Sequence, residues 1–282
     1  MRIKFLGTGA AEGVPAAFCE CEVCREVRRR GEGEFHTRSQ ILIDGELSID
    51  YPPDAYAHSL RFGFEQAGIK YLFVTHSHMD HFYAHDFVLR GYKYCSPVRE
   101  PLYIFGNAEV KKVFEECTRR ELKEEVASGL FFVVAEPFCE RTFGEYTVFP
   151  LRAQHSKTED ALTFYIRKGD KGYLHLTDTG RLPKESLDRL EAYLKEKGWQ
   201  ADLVTFDCTF LFRTAGEVSR HMGLGDNMVM KEELTARGLV NEGTMYAITH
   251  YSHNNLPLKE TLLRAEKEYG VVAAFDGLEL SV

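Results

Sequence analysis

No apolar run in this chain of 282 residues approaches the roughly 18–20 consecutive residues of a membrane-spanning helix, so no membrane partner is expected. An excess of positive charge is lacking too: 35 Lys and Arg stand against 43 Asp and Glu, a formal net charge of −8. Affinity for a nucleic-acid polymer rests on a basic face that neutralises phosphates, so a general nucleic-acid binder is disfavoured. A small phosphate ester is not excluded, because it asks only for local positive charge, which metal ions supply. Low-complexity tracts, a repeat of fixed period and a Pro/Ser-rich linker are absent, and one domain over residues 1–282 is the simplest organisation. The opening Met1-Arg2-Ile3-Lys4-Phe5-Leu6-Gly7 reads as a first strand, not as a leader, and a cytoplasmic location is expected. The sequence does not set the oligomeric state; a homodimer is among the expectations.

An even set of cysteines is also missing. There are seven, with Cys19, Cys21 and Cys24 clustered and Cys95, Cys117, Cys139 and Cys208 scattered. In a reducing compartment the scattered four are expected to be buried thiols acting as small hydrophobes. The cluster needs another explanation.

What is present is a 44% hydrophobic chain, enough for a sizeable core, with many short β-branched and aromatic runs. Strands are expected over 3–6, 40–43, 47–50, 71–75, 102–105, 130–134, 146–151, 162–166, 173–177, 203–206, 245–249 and 271–275. Helices are expected over 22–30, 55–67, 108–125, 184–197, 230–237 and 259–269, with a further helix start at 81–90. Strand-rich in its first half and alternating in its second, this pattern suggests an α/β fold: an αββα sandwich of two mixed sheets with helices on the outer faces. The charged stretch 111–125 reads as a solvated helix face, with Val113, Phe114, Cys117 and Leu122 turned inward.

Four metal-capable side chains fall within six residues in His76-Ser77-His78-Met79-Asp80-His81, directly after the apolar run Tyr71-Leu72-Phe73-Val74-Thr75. Packing does not ask for three imidazoles and a carboxylate at a strand end, whereas two transition-metal ions open to water do. His76 and His78, two residues apart, lie on one side of an extended segment; Asp80 and His81 follow and face a second ion. Later strands end the same way, in His155, in Asp178 and in His250. His76, His78 and His155 are expected to hold one ion and Asp80, His81 and His250 the other, with Asp178 and a hydroxide bridging them. By contrast His36, His58 and His175 stand alone and read as packed structural histidines. His85, four residues after His81, supports the site or lies on the surface.

Cys19, Cys21 and Cys24 offer three thiolates on a tight loop, one short of the tetrahedron of structural zinc. His253, three residues after His250, supplies a fourth donor, and such a site would tie the N-terminal loop to the loop carrying His250.

His-x-His-x-Asp-His after a strand resembles the signature of the metallo-β-lactamase fold in its dinuclear hydrolase branch. The likeness runs through Phe5-Leu6-Gly7-Thr8-Gly9, His155, Thr177-Asp178-Thr179-Gly180 and Ala274-Phe275-Asp276-Gly277. Gly13-Val14-Pro15, the Cys-x-Cys-x2-Cys loop and the final His250-x2-His253 narrow it to the PhnP type of phosphodiesterase. That resemblance implies two catalytic divalent ions, manganese or zinc, one structural zinc, and a small, five-membered cyclic phosphodiester as substrate. It also implies that His221 contacts the phosphate or protonates the leaving oxygen, and that Asp80 is needed for catalysis. The chain departs from the family pattern at Asp50-Tyr51-Pro52-Pro53-Asp54, in the charged helix between His81 and His155, and in residues 210–226. Related expectations are a tRNA 3′-processing type of endonuclease, disfavoured by the acidic charge and the lack of a basic arm, a protein like that of pyrroloquinoline-quinone biosynthesis, and a non-catalytic metal- or ligand-binding protein of the same fold.

Overall fold

Fourteen strands in two seven-stranded sheets form the centre of the computed structural model, which describes residues 1–96 and 100–282. The first half supplies β1 (Arg2–Gly7), β2 (Gln40–Ile43), β3 (Leu47–Ile49), β4 (Tyr71–Phe73), β5 (Leu102–Gly106) and β6 (Leu130–Val134). The second supplies β7 (Arg141–Phe143), β8 (Tyr146–Arg152), β9 (Leu162–Lys168), β10 (Lys171–Leu176), β11 (Ala201–Asp207), β12 (Val240–Thr249) and β13 (Val272–Ala273), and β14 (Glu279–Ser281) returns to the first sheet. The orders are β14-β1-β2-β3-β4-β5-β6 and β13-β12-β11-β10-β9-β8-β7.

Alternation along the strands sorts side chains between two layers. Leu162, Phe164 and Ile166 of β9 join Ile3, Phe5, Phe73, Phe105 and Leu203 in the core between the sheets, while Tyr165 faces outward. Each such side chain removed from water contributes on the order of 1.5–3 kcal/mol. The outer face of the second sheet is covered by α5 (Lys184–Lys197), α6 (Leu224–Ala236) and α7 (Lys259–Tyr269), through residues such as Leu190, Met230 and Leu262. The first sheet is covered by α2 (Ala55–Phe62) and α3 (Ala108–Thr118), through Ala55, Val110 and Phe114. The layers are helix, sheet, sheet, helix, as the strand pattern suggests.

Both sheets repeat one pairing pattern. Starting from β14 and from β7, each has three antiparallel pairs followed by three parallel pairs. The pairing makes β8, β10, β11 and β12 run the same way, and likewise β1, β3, β4 and β5. Their C-terminal ends collect the polar loops, and there the candidate site lies.

Several boundaries differ from the sequence reading. The helix begun at Ala55 stops at Phe62 because Gly63 takes a left-handed φ of 64°. The long charged helix ends at Thr118, where the N–H groups of Glu121 and Leu122 turn back onto the Thr118 carbonyl. A short α4 (Glu124–Ala127) follows, and Leu122 still packs inward as expected. The helix expected from His81 is a 3-10 segment over Ala84–Leu89. Of the four scattered cysteines only Cys208 is buried; Cys95, Cys117 and Cys139 are half-exposed, which corrects that expectation.

Candidate active site and metal centres

His76, Asp80 and His81 follow β4, His155 follows β8, Asp178 follows β10 and His250 follows β12. The structure brings all of them together with His78 in two groups that share one carboxylate. His76, His78, His155 and Asp178 form the first; Asp80, His81, Asp178 and His250 form the second. His76 Nε2 lies 2.9 Å from His78 Nδ1 and 3.3 Å from Asp178 Oδ2. His81 Nε2 lies 3.2 Å from Asp80 Oδ2 and 3.0 Å from Asp178 Oδ2. His155 Nδ1 lies 3.1 Å from Asp178 Oδ1.

These spacings, 2.9 to 3.3 Å, are within reach of hydrogen bonds and a little shorter than those between donors on one ion, so the unpaired atoms among them carry the metal reading. Donors held tetrahedrally at roughly 2.0–2.1 Å from an ion stand about 3.4 Å apart. Among the described residues, His81 Nε2, His155 Nδ1, Asp178 Oδ1 and His250 Nε2 are buried and have no hydrogen-bond partner, although polar atoms lie close by. Buried polar atoms left unpaired are costly. Four of them aimed at shared points are what a pair of cations would satisfy. The group is buried except at His78, which is exposed and leaves the site open to solvent.

The free nitrogens are set from behind. His81 Nδ1 donates to Asp50 Oδ2 at 2.7 Å, which leaves the lone pair on Nε2 facing the site. Asp50 also accepts from Thr75 N–H at 2.8 Å. His250 Nδ1 faces Thr209 Oγ1 at 2.9 Å and Asp207 Oδ2 at 3.2 Å. Glu159 accepts from Ser77 N–H and Oγ–H and from the Asn107 amide, which pins the loop carrying His76 and His78. Asp50, Asp178 and His250 all sit in the left-handed region, with φ of 63°, 53° and 67°. Such backbone costs about 1–2 kcal/mol per non-glycine residue and persists where surrounding contacts fix it, often at functional sites. The sequence reading missed Asp50, Asp207, Thr209 and Glu159 as site residues. For the first two a signal existed: each ends an apolar strand, as His155, Asp178 and His250 follow theirs.

His221 lies beside the second group. Its Nδ1 is 3.1 Å from Asp178 Oδ1 and 3.1 Å from Asp207 Oδ2. Burial works against a charge on His221, but Asp207 and Asp178 outweigh it and push its pKa up to about 11. It is half-buried at the mouth of the site. Residues 210–226, unassigned from sequence, are the loop and helix start that carry it.

A separate cluster gathers Cys19, Cys21, Cys24 and His253. The three sulfurs lie 3.7, 3.4 and 3.5 Å from His253 Nδ1. Bonds of roughly 2.3 Å to sulfur and 2.0–2.1 Å to nitrogen in a tetrahedron give about 3.5 Å, so the donor set fits zinc. The Cys24 N–H and then His253 pull the Cys21 thiol down to about 6, while burial pushes Cys24 up to about 11. Glu12 takes a hydrogen bond from Ser252 at 2.6 Å and lies 3.8 Å from His253 Nε2.

The remaining histidines fall as read. His36 is buried between Thr8 Oγ1 and the Pro257 carbonyl, His58 between Thr37 and Gln40, and His175 against Tyr173. His85 is exposed.

Residues 40–242 match the beta-lactamase superfamily domain. A diphosphatase of the PhnP family superposes with a TM-score of 0.70 at 20% identity, covering 100% of this chain and 97% of that one. Zinc-bound PqqB from Methylobacterium extorquens gives 0.72 at 17% identity over 100% of both chains. The short form of human tRNase Z gives 0.64 at 16% identity, covering 100% and 99%. In sequence, 85 residues are 34% identical to part of an octanoyltransferase of Porphyromonas gingivalis; the match takes in 29% of this chain and 16% of that protein. No helix among the described residues is long and apolar enough to cross a membrane.

Proposed function

This chain belongs to the beta-lactamase superfamily and has that superfamily's metal-dependent hydrolase fold, and from that premise we propose that it hydrolyses a small phosphodiester, linear or cyclic. The observation that carries the reading is the pair of donor groups sharing Asp178, with four unpaired buried atoms aimed between them. His76, His78 and His155 would hold one divalent ion, and Asp80, His81 and His250 the other, with Asp178 shared; manganese and zinc both suit such nitrogen and oxygen donors. Bound there, two such ions lower the pKa of a water to about 7 and offset charge growing on phosphoryl oxygens.

The chain's own residues do the rest. Asp50 and Asp207 hold His81 and His250 in the tautomer that presents Nε2. Asp80, held well below the usual carboxylate range by His81 despite burial, stays anionic and keeps the second group hard and oxygen-bearing. His221, charged beside Asp207, gives a proton to the leaving oxygen as the P–O bond breaks. Cys19, Cys21, Cys24 and His253 would hold a structural zinc, which would stiffen the turn carrying His250. The likeness to a PhnP-family diphosphatase supports the substrate class, and the charge of −8 supports a small substrate over an RNA polymer.

Purified protein supplied with Mn²⁺ or Zn²⁺ should cleave bis(p-nitrophenyl) phosphate, and Asp80→Ala, which removes a donor of the second group, should abolish measurable turnover. Undiminished turnover in that variant would sink the proposal. An octanoyl thioester assayed alongside addresses the partial likeness to an octanoyltransferase; preference for it would move the reading from phosphorus to carbon.

A further inference from the structure

Asp226 is the first-turn carboxylate of α6 and is fully buried, yet it takes on more than a helix cap requires. Its Oδ2 accepts from Gly223 N–H at 3.2 Å, the ordinary capping contact, and also from Ala215 N–H at 2.7 Å. Its Oδ1 accepts from Gly216 N–H at 3.1 Å and from Arg181 through both Nε, at 3.0 Å, and Nη2, at 2.8 Å. A buried charge is costly unless paired and hydrogen-bonded, and here five donors from two segments meet it. Both segments bear on the site. Arg181 is three residues from the shared ligand Asp178, and residues 215–223 form the loop that carries His221.

Other contacts bind the same two segments. Gln154, next to His155, donates from its side chain to the carbonyls of Ser219, at 2.9 Å, and Glu217. A Cβ on Gly180 would stand 1.9 Å from the Ser219 carbonyl oxygen, and one on Gly223 would stand 1.7 Å from that of Arg213. The loop therefore approaches the end of β10 too closely for a side chain at Gly180, and folds back on itself too tightly for one at Gly223. Met222 N–H adds a bond to Asp207 at 2.9 Å.

We propose that the Arg181–Asp226 pair is a positioning device for His221: it latches the 215–223 loop to the segment bearing Asp178, and so sets His221 over the leaving oxygen. The pair does not touch substrate. This rests on the phosphodiesterase reading, in which His221 transfers a proton as the P–O bond breaks. Arg181 is suited to the part because its planar guanidinium brings two N–H donors, Nε and Nη2, onto the one oxygen Oδ1, which lysine does not reproduce.

The test separates proton delivery from general loosening. A 2′,3′-cyclic nucleotide releases an alkoxide that needs a proton; bis(p-nitrophenyl) phosphate releases p-nitrophenolate, which does not. In Arg181→Met the ratio of turnover on the cyclic nucleotide to turnover on the nitrophenyl diester should fall at least about tenfold, towards the ratio in His221→Ala, within the range of general acid catalysis. Arg181→Lys, which keeps the charge beside Asp226, should fold and shift the ratio the same way by less. An unchanged ratio in both variants overturns the proposal. A second readout needs no turnover: amide hydrogen exchange in the metal-free chain should quicken at Ala215 and Gly216 in both variants while the body of α6 stays protected. If wild type cleaves neither substrate, the phosphodiesterase reading fails and exchange alone judges the latch; unaltered exchange at those amides overturns it.

Discussion

The dinuclear group and the Cys3His cluster are built by opposite routes. The first draws its donors from four chain segments at the ends of strands in both sheets, all nitrogen and oxygen, mostly buried, with one exposed histidine at its mouth. The second takes three sulfurs from six consecutive residues and a single distant imidazole, half-exposed, with the sulfurs 3.4–3.7 Å from the imidazole nitrogen, a spacing that suits a tetrahedral ion. Hard donors around an open position suit reaction at the ion, whereas soft donors in a closed set suit structure. Their positioning differs as well. In the dinuclear group buried carboxylates stand behind His81 and His250, while His253 has only Glu12 at 3.8 Å. The two meet in one turn, since His250 belongs to the first and His253 to the second. On the proposed reading, a closed site would brace an open one.

The comparison breaks most sharply at Asp50. Asp50→Asn keeps the shape but removes the charge that fixes the His81 tautomer, and loss of such a partner typically costs about 10–100-fold in metal affinity or activity. Turnover and metal content should fall together in that range, with the zinc of the Cys cluster retained. A variant with wild-type turnover and full metal content would show that the dinuclear group does not depend on support from behind. Cys24→Ser should act the other way round. It should cost one zinc per chain and lower the melting temperature by about 5–10 °C, with turnover falling about tenfold at most. Loss of all bound metal in that variant, measured by atomic emission, would erase the distinction between the two sites.

How far these sites were legible depended on chain distance. His76, His78, Asp80 and His81 sit in one motif, and the three thiols in another, so each motif announced itself. His155, Asp178 and His250 could be added because each ends an apolar strand, and the parallel arrangement carries such ends to one edge. Asp50 and Asp207 end strands too, but an aspartate at a strand end is also a common turn residue, and their pairing with His81 and His250 exists only after the sheets close. β3 and β10, followed by Asp50 and Asp178, hold the same place in the two sheets, a repeat carried by pairing and not by sequence. The layered fold was readable because alternation along strands is a local signal. The start of α6 was not: the helix expected over 230–237 begins at Leu224, and Gly223 and Gly225, poor helix formers, stand beside and in its first turn where Arg213 and Thr214 leave no space for a Cβ. The edge strands β7 and β14, three residues each, are too short for a pattern to show.

The smallest expected effect sharpens the comparison most finely, because it separates the two sites by thiol chemistry alone. Without metal, Cys21 is pulled down to about 6 by the Cys24 N–H and His253, and Cys24 is pushed up to about 11 by burial. At pH 7.5 the first is a thiolate and the second a thiol, and only thiolates react with iodoacetamide at useful rates. The metal-free chain should therefore be alkylated at Cys21 well before Cys24. The Cys21 reaction should slow as pH falls through about 6, and Cys24 should stay inert until pH nears about 11. Zinc, which ligates sulfur, should protect Cys21. Manganese favours oxygen donors and should restore hydrolysis without protecting it. Peptide mapping by mass spectrometry after each addition reads both sites in one experiment. Protection by manganese equal to that by zinc would mean that filling the dinuclear group alone closes the cysteine loop. The brace would then run from the open site to the closed one, the reverse of the order the donor sets imply.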